Sequence, residues 1–261
     1  FQAEDGIRDS VASRGLGDVY KRQVQGCTVQ RSVYGRSHRV SNAITVAVVD
    51  SGANAPHPHL SEVAGGVAFD FEGQESMDYV DRLGHGTAAA AAVHEKAPGA
   101  EIYVVKIFDK QLATTVPTLV KAIDWASSRG IRIVNLSLGT PHEFRASELA
   151  PAVDRAVAAG TIIVSAHKHE EQLWYPGCME NVLGVVAATS HPRESVAVIE
   201  TGERFALRAS PYPRPIPGVP PERNFKGISF AVANASGCLA AVLLDHPDVT
   251  TANEALRLLA N

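Results

Sequence analysis

The chain has 261 residues, of which 45% are hydrophobic and 20% are charged. This length and composition suit one sizeable globular domain with a continuous core. The net charge of −4 gives no indication of a nucleic-acid partner or of an anionic membrane surface, and no apolar run approaches the roughly 20 residues that a membrane-spanning helix needs.

Residues 1–23 differ in character from the rest of the chain. They have no apolar periodicity, no signal-peptide core and no initiating methionine. They resemble the translated sequencing-adapter read-through that recurs at the ends of metagenomic reading frames, and we exclude them from the fold as for any fusion scar. A disordered native tail is the alternative interpretation. The predicted organisation is therefore a non-native or disordered tail at 1–23 and a single domain at 24–261, with the true start of the protein missing.

Short apolar runs alternate with amphipathic stretches from Ile44 onward. The runs are continuous and rich in Val and Ile, which is typical of strands that are buried on both faces. The predicted strands are 44–50, 101–108, 131–138, 161–166 and 182–189. The predicted helices are 85–94, 116–129, 149–159, 229–244 and 251–259.

This alternation predicts an α/β fold, a doubly wound and mostly parallel sheet with helices on both faces. Gly130 and Gly160 follow two of the helices and act as C-terminal stops. A proline-rich stretch at 209–222 is predicted to be a surface loop. Ligand sites in sheets of this kind lie at the carboxyl ends of the strands.

The cysteines Cys27, Cys178 and Cys238 are far apart and odd in number. Such a set predicts neither a disulfide framework nor a zinc site. It fits a reduced compartment best, although bacterial secreted enzymes also often lack disulfides. The sequence therefore leaves the localisation open between the cytoplasm and the exterior.

Three motifs place reactive side chains on these elements. VVDSG puts Asp50 at the carboxyl end of the first strand, LGHGT puts His85 in the first turn of a helix, and KGISFA puts Ser229 at the start of another helix. An aspartate after a strand is often a helix cap, and a lone serine before a helix usually is one. The three together, in this order and on these elements, favour a catalytic triad.

The chemistry of a triad explains these residue types. A serine hydroxyl becomes a good nucleophile when a histidine takes its proton, and the histidine needs a carboxylate to fix its tautomer. A helix amino terminus at the serine aims a backbone N–H, here that of Ser229, at the developing oxyanion. The order Asp, His, Ser is that of subtilisin and differs from the Ser, Asp, His order of α/β-hydrolases.

From about Ile44 to Leu244 the chain resembles the subtilisin-like serine proteases (subtilases, peptidase family S8). VVDSGANAPHPHL resembles the family's aspartate motif, LGHGT its histidine motif, and AIDWASSRGIRIVNLSLGTP the framework that follows. The resemblance implies a subtilisin-like three-layer fold and a serine endopeptidase that forms an acyl-enzyme. It also implies that Leu138 and Gly139 line the substrate cleft, where an extended peptide adds as a strand.

One segment departs from the family pattern. Ala166-His167-Lys168-His169-Glu170 stands where the family has Ala-Ala-Gly-Asn-Glu, so His169 takes the position of the asparagine that completes the oxyanion hole. In one interpretation His169, or with less support His167, donates a substitute hydrogen bond. In the other, this is a solvated loop that has lost its role. Ala166, His167 and Lys168 are expected to line the cleft, and Lys168 to narrow or charge its wall.

Further departures concern packing and metal binding. Ile228 replaces the family's usual threonine, and Ala233 and Asn234 replace the usual Pro-His. Subtilases commonly bind calcium in a loop inserted after the histidine helix, but TAAAAAVHEKAPG has no such acidic insertion. We therefore expect no calcium site of that type, no other metal site and no cofactor.

The leading prediction is a serine endopeptidase of the subtilisin type, with activity possible at a reduced rate because of the altered oxyanion segment. The alternatives are a catalytically impaired subtilase-fold protein that binds peptides, and a slow esterase. The expected partner is a peptide or protein substrate. We expect no nucleic-acid or membrane partner, and a monomer.

Overall fold

A computed structural model describes residues 7–8, 43–202 and 204–260. Its strands are β1 (Ile7–Arg8), β2 (Thr45–Asp50), β3 (Gly65–Phe69), β4 (Glu75–Ser76), β5 (Glu101–Lys106), β6 (Ala113–Thr114), β7 (Ile133–Leu136), β8 (Ile162–Ala166), β9 (Lys168–His169), β10 (Gln172–Leu173), β11 (Leu183–Ala187), β12 (Ala197–Thr201) and β13 (Arg204–Ala209). Nine of them form one sheet in the order β12-β13-β11-β8-β7-β2-β5-β3-β4. The five predicted strands all lie inside this sheet.

The interior of the sheet is parallel. Neighbouring strands from β13 to β3 pair in parallel, and β12 and β4 close the two ends as antiparallel edges. The register sets Val49 opposite Leu136 and Leu136 opposite Ser165. The carboxyl ends of β2, β7 and β8 therefore lie side by side at one edge of the sheet.

Helices cover both faces of the sheet. They are α1 (His85–Lys96), α2 (Val116–Ser128), α3 (Ala146–Ala158), α4 (Ile228–Asp245) and α5 (Ala252–Leu259). Residues of α1, α4 and α5 belong to one apolar cluster, and residues of α2 and α3 belong to a second. The sheet lies between the two clusters, which confirms the three-layer α/β prediction.

Local chemistry fixes several helix ends. The Thr115 hydroxyl accepts a hydrogen bond from Thr118 N at 3.3 Å and caps α2. Gly130 follows this helix with φ +68°, a left-handed conformation that favours glycine. Thr251 and Glu254 form a capping box at the start of α5. The predicted helices are all present, although α3 begins at Ala146 rather than at residue 149.

The sequence pattern missed the edges of the sheet. The pairs β3–β4 and β12–β13 were not predicted, because these outer strands are partly exposed or very short and carry a weaker apolar signal than the buried centre. The proline-rich stretch is irregular as predicted, but its position needs correction. Pro211, Pro213 and Ile216 are buried, so this segment packs against the domain instead of lying wholly on its surface.

Two residues of the N-terminal segment are described. Ile7–Arg8 pairs antiparallel with Ala113–Thr114. The rest of residues 1–23, and Cys27, lie outside the described residues, so the domain boundary stays a prediction. Cys178 and Cys238 are free thiols, and burial raises the pKa of both.

Contrary to the expectation that no apolar run approaches this length, one helix of the described residues, α4, is long and apolar enough to cross a membrane by length and composition alone. It has 18 residues, and 72% of that window is buried inside the domain. A central core helix of a globular domain passes the same test, and α4 is packed as such a helix.

A histidine corner follows β2. His57 and His59 are both buried, and His59 N donates to His57 Nδ1 at 3.1 Å. Arg214 of the proline-rich segment donates to the His59 carbonyl at 3.2 Å. Burial, together with the neighbouring charges of His59 and Arg214, lowers the pKa of His57 to about 4. Burial and Arg214 also lower the pKa of His59.

This corner predicts acid lability. The pKa of His57 falls from 6.5 in the unfolded chain to about 4 in the folded one, so the unfolded chain binds more protons between these values. The free energy of unfolding should therefore fall as the pH decreases from 6.5 to 4, with His57 contributing on the order of 2 kcal/mol. Urea denaturation at pH 7 and pH 4.5 measures this decline. His57→Gln should reduce it, and His246→Gln, at an exposed histidine, should leave it intact.

Candidate active site

Asp50 is the last residue of β2 and is fully buried. Its carbonyl oxygen accepts hydrogen bonds from Ile107 N at 2.8 Å and Phe108 N at 3.3 Å, which continue the pairing with β5. Its carboxylate accepts from Ser51 N at 2.6 Å. The carboxylate is thus held at the carboxyl edge of the sheet, pointing to the start of α1.

His85 begins α1 and completes the first contact of the site. His85 Nδ1 lies 2.7 and 2.9 Å from the two carboxylate oxygens of Asp50. An Nδ1–H that donates to a carboxylate leaves the lone pair of a neutral imidazole on Nε2. The ring packs against Phe230, with centroids 5.0 Å apart, and against Phe225 at 5.9 Å. The carboxylate thus fixes the proton on Nδ1, and the two aromatic rings fix the plane of the imidazole.

Two glycines permit this contact. A Cβ on Gly86 would lie 2.2 Å from the carbonyl oxygen of Gly52, and a Cβ on Gly52 would lie 2.4 Å from the carbonyl oxygen of Tyr79. Gly52 also has φ +105°. The turn after β2 and the first turn of α1 therefore meet backbone to backbone, and only glycine fits on both sides.

Asp81, which is 3% exposed, stabilises this contact between the turn after β2 and the first turn of α1. One carboxylate oxygen accepts from the Ser51 hydroxyl at 2.9 Å and from the backbone N–H groups of Leu83 and Gly84 at 2.9 and 2.8 Å. The other accepts from the backbone N–H and the hydroxyl of Thr87 at 2.8 and 2.6 Å. One buried carboxylate therefore ties the turn after Asp50 to both ends of the His85 turn.

Ser229 lies in the first turn of α4 and is fully buried. Its hydroxyl donates to the Ser137 carbonyl at 3.2 Å, and the Ser137 hydroxyl donates to the Ser229 carbonyl at 3.0 Å. Asn135 Nδ2 donates to the Ser137 hydroxyl at 2.9 Å, and the Ser236 hydroxyl donates to Asn135 Oδ1 at 2.9 Å. A buried polar network thus fastens the start of α4 to the end of β7.

The three predicted triad residues lie at the same edge of the sheet. Asp50 and His85 are in direct contact, and Ser229 directly precedes Phe230, whose ring packs on His85. These residues are 0%, 1% and 0% exposed respectively. The arrangement joins a carboxylate, an oriented imidazole and a hydroxyl at a helix amino terminus.

The predicted cleft residues follow β7 and β8. The Ser165 hydroxyl donates to the Leu138 carbonyl at 3.1 Å, which joins the two strand ends. Beyond Gly139, Thr140 pairs with Tyr175 through two backbone hydrogen bonds of 2.9 and 2.8 Å. Leu138 and Gly139 are therefore held between the nucleophile helix and the segment around Tyr175.

Ala166 and His167 end the neighbouring strand. The Ala166 carbonyl oxygen would lie 1.9 Å from a Cβ on Gly177, so the two backbones are in tight contact. His167 is buried beside Gly184 of β11, and burial lowers the pKa of its imidazole. This ring faces the adjacent strand, so we retain only His169 as the proposed oxyanion donor.

Lys168 and His169 form β9, which pairs antiparallel with β10 in a short hairpin. Glu170 and Glu171 make its turn with φ +48° and +64°. The His169 ring meets the Trp174 ring edge-on, with centroids 5.9 Å apart, and its Nε2 lies 3.7 Å from the Glu170 carboxylate. The altered oxyanion segment is thus a hairpin that half-buries His169.

Sequence reasoning missed three residues of this site. Asp81 lies four positions before His85 and could have been noticed as an acid near the motif. Trp174, which borders Gly139, carries no motif. Asn234 was read only as a departure from the family pattern, yet its Nδ2 donates to the Ser210 and Tyr212 carbonyls at 2.8 and 2.9 Å. It therefore fastens the proline-rich segment to α4.

The region after α1 does not fit calcium. The helix runs without interruption from His85 to Lys96, and Ala97-Pro98-Gly99-Ala100 leads directly to β5. The connecting residues 97–100 offer no carboxylate oxygen, whereas calcium needs six to eight oxygen ligands. Within 43–202 and 204–260 no group of three or more His, Cys, Asp or Glu side chains could hold a metal ion.

The Asp81 carboxylate generates a prediction. Asp81→Asn would place an amide among backbone N–H donors, so the free energy of unfolding should fall by at least about 3 kcal/mol. Urea denaturation measures this loss. Asp78→Asn is the matched control, since Asp78 makes an exposed ion pair with Arg82 at 2.6 Å and its loss should cost within about 1 kcal/mol. Equal stability of the two variants would contradict the role given to Asp81.

Comparison with known proteins agrees with this geometry. The model of the subtilase family matches residues 41–261. Subtilisin E of Bacillus subtilis (strain 168) is 29% identical over 238 residues, which cover 82% of this chain and 59% of that protein. Subtilisin of Bacillus pumilus is also 29% identical, covering 82% of each chain. An intracellular serine protease of Paenibacillus polymyxa is 28% identical over 226 residues, covering 76% of this chain and 66% of the relative.

The chain thus spans 59% of the length of subtilisin E. The match to the family model covers most of this chain and includes Asp50, His85 and Ser229. The chain belongs to the subtilase family.

Proposed function

We propose that the chain is a serine endopeptidase in which Ser229 is the nucleophile, His85 the general acid–base and Asp50 the residue that orients it. The observation that carries this proposal is the contact of His85 Nδ1 with both oxygens of Asp50 at 2.7 and 2.9 Å, beside the helix start that bears Ser229. This contact leaves Nε2 of a neutral imidazole as the proton acceptor.

The proposed reaction begins when His85 Nε2 takes the proton of the Ser229 hydroxyl. The oxygen then attacks the carbonyl carbon of the scissile peptide bond, and the negative charge of the tetrahedral intermediate faces the Ser229 N–H at the amino terminus of α4. The imidazolium, stabilised by Asp50, gives its proton to the amide nitrogen. The carbon–nitrogen bond breaks, and an acyl-enzyme remains.

Water completes the cycle. His85 removes a proton from a water molecule that attacks the acyl carbonyl, and returns that proton to Ser229 when the ester bond breaks. The hydrogen bond from the Ser229 hydroxyl to the Ser137 carbonyl must break before the attack, since that proton has to reach His85.

An extended peptide suits this edge of the sheet. Leu138 and Gly139 follow β7 with their backbone beside the nucleophile helix, where a substrate strand can pair. Peptide or protein substrates are therefore proposed over small esters.

One observation favours the alternative of a catalytically impaired, peptide-binding chain. His85 and Ser229 are 1% and 0% exposed, so a substrate carbonyl reaches the hydroxyl only after neighbouring groups move. The oxyanion position also carries a histidine instead of an amide. A slow enzyme that still forms the acyl intermediate is consistent with both features.

A fluorophosphonate probe tests the nucleophile. We expect covalent labelling of the purified protein at Ser229, mapped by peptide mass spectrometry, because the probe needs only an activated hydroxyl and an oxyanion site. Ser229→Ala should abolish labelling, and Asp50→Asn should slow it by orders of magnitude, since loss of the carboxylate leaves the imidazole in the wrong tautomer.

The controls separate the competing functions. Ser195→Ala, at an exposed serine, should label like the parent. Casein digestion beside hydrolysis of a chromogenic ester distinguishes an endopeptidase from an esterase. The parent protein could be folded, carry no label at Ser229, and bind peptide without turning over either substrate. That result would falsify the proposed peptidase function and favour a peptide-binding protein.

His169 generates a second prediction. We propose that its imidazole donates to the oxyanion, most strongly when protonated, because a charged donor makes the stronger hydrogen bond. His85 must be neutral to act as the base, so the two requirements oppose each other and narrow the pH profile. His169→Asn should broaden the profile toward alkaline pH and preserve kcat. His169→Ala should lower kcat by about tenfold or more.

Peptide hydrolysis from pH 5 to pH 10 measures these effects. Gln172→Ala is the matched control, because Gln172 is the exposed partner of His169 in the hairpin and takes no part in the proposed donation. If His169→Ala cleaves as fast as the parent at every pH, the Ser229 N–H acts as donor without it.

A further inference from the structure

We call the space between the two chain segments that leave β7 and β8 the crevice. The register pairs Leu136 with Ser165, and the Ser165 hydroxyl donates to the Leu138 carbonyl at 3.1 Å, so the two segments leave the sheet side by side. The Ser229 hydroxyl lies 3.2 Å from the Ser137 carbonyl, at the inner end of this crevice. In the proposed reaction, a substrate carbonyl at the Ser229 hydroxyl would bring the backbone of the acyl-side residue beside Ser137, with its side chain directed between the two segments.

The indole of Trp174 occupies that space. Trp174 N donates to the His167 carbonyl at 3.0 Å, which fixes the residue to one wall. A Cβ on Gly139 would lie 3.0 Å from Trp174 Cε3, so the ring rests directly on the other wall. Trp174 is 9% exposed and belongs to the same apolar cluster as Ala166 and Ile228.

The ring is held on several sides. The next residue, Tyr175, exchanges two backbone hydrogen bonds with Thr140, at 2.9 and 2.8 Å. The His169 ring meets the indole edge-on, with centroids 5.9 Å apart. The residues on either side of Trp174 are thus both paired with neighbouring segments, Leu173 with Lys168 and Tyr175 with Thr140. The indole therefore has little freedom to leave the crevice.

We propose that Trp174 determines specificity by filling this crevice, so that the substrate residue on the acyl side of the scissile bond must be glycine, alanine or serine. Leucine, phenylalanine and other large side chains require the volume that the indole takes. This inference rests on the proposed peptidase function and names the substrate class of the same site.

The test replaces the indole in graded steps. Trp174→Ala should open the crevice, and Trp174→Phe, which keeps an aromatic ring against Gly139, should open it partly. Peptides that differ only in alanine or phenylalanine before the scissile bond provide kcat/KM. The parent should prefer alanine, and the ratio should shift toward phenylalanine by at least about tenfold in Trp174→Ala, with Trp174→Phe intermediate. Leu173→Ala, at an exposed neighbour, should keep the parental ratio.

A binding measurement separates this inference from the proposed function. In a Ser229→Ala background, fluorescence polarisation gives the affinity for the same two peptides without any turnover. The Trp174→Ala change should raise the affinity for the phenylalanine peptide relative to the alanine peptide. If labelling of Ser229 fails while this affinity shift occurs, the peptidase proposal is wrong and the role of Trp174 stands.

Two results overturn the inference whatever the probe labels. The first is a parent protein that cleaves or binds the phenylalanine peptide as well as the alanine peptide. The second is a folded Trp174→Phe or Trp174→Ala variant whose preference equals that of the parent. Thermal unfolding of each variant identifies those that are folded.

Discussion

The backbone contact between Gly52 and Gly86 is the constraint on which the site depends. A Cβ at Gly86 would lie 2.2 Å from the Gly52 carbonyl oxygen, so no other residue allows β2 and α1 to meet so closely. That separation brings the Asp50 carboxylate within 2.7 Å of His85 Nδ1. The buried carboxylate of Asp81 then ties both sides together through five hydrogen bonds from side chains and backbone. The geometry of the contact between Asp50 and His85 is thus fixed by residues that lie outside the proposed triad.

A separate set of hydrogen bonds positions Ser229, the proposed nucleophile. Ser137 and Ser229 exchange hydrogen bonds between hydroxyl and carbonyl in both directions, at 3.2 and 3.0 Å. Asn135 supports Ser137 from within β7, so the sheet itself sets the start of α4. Both sets of hydrogen bonds lie at the carboxyl edge of one parallel sheet. The Asp50–His85 pair and the Ser229 hydroxyl are therefore positioned relative to the same strands. Buried, mutually satisfied polar groups of this kind also specify a single packing arrangement.

The central strands and the helices could be predicted because their signals are local. Runs of Val and Ile mark β2, β7 and β8, and the triad motifs occur on the elements that the pattern predicts. The edge strands and the two-residue hairpin around His169 were missed, since half-exposed or very short segments carry little periodicity. The roles of Asp81 and Trp174 depend on partners distant in sequence, such as Ser51 and Gly139, and pattern reasoning on one chain gives no access to such contacts. The burial of the proline-rich segment was missed for the same reason.

One departure from the family pattern, His169, lies in direct contact with Trp174. Their rings meet edge-on with centroids 5.9 Å apart, whereas Asp50 and His85 keep their expected contact. Loss of the proton-transfer pair would end acyl transfer, but changes at the crevice alter which side chain fits and how well the oxyanion is stabilised. In its proposed role the Trp174 indole also requires an ordered hairpin, because β9 supports the ring in the crevice. In the proposed enzyme, substrate choice and oxyanion stabilisation would therefore be coupled through one hairpin, while Asp81 separately stabilises the contact between Asp50 and His85.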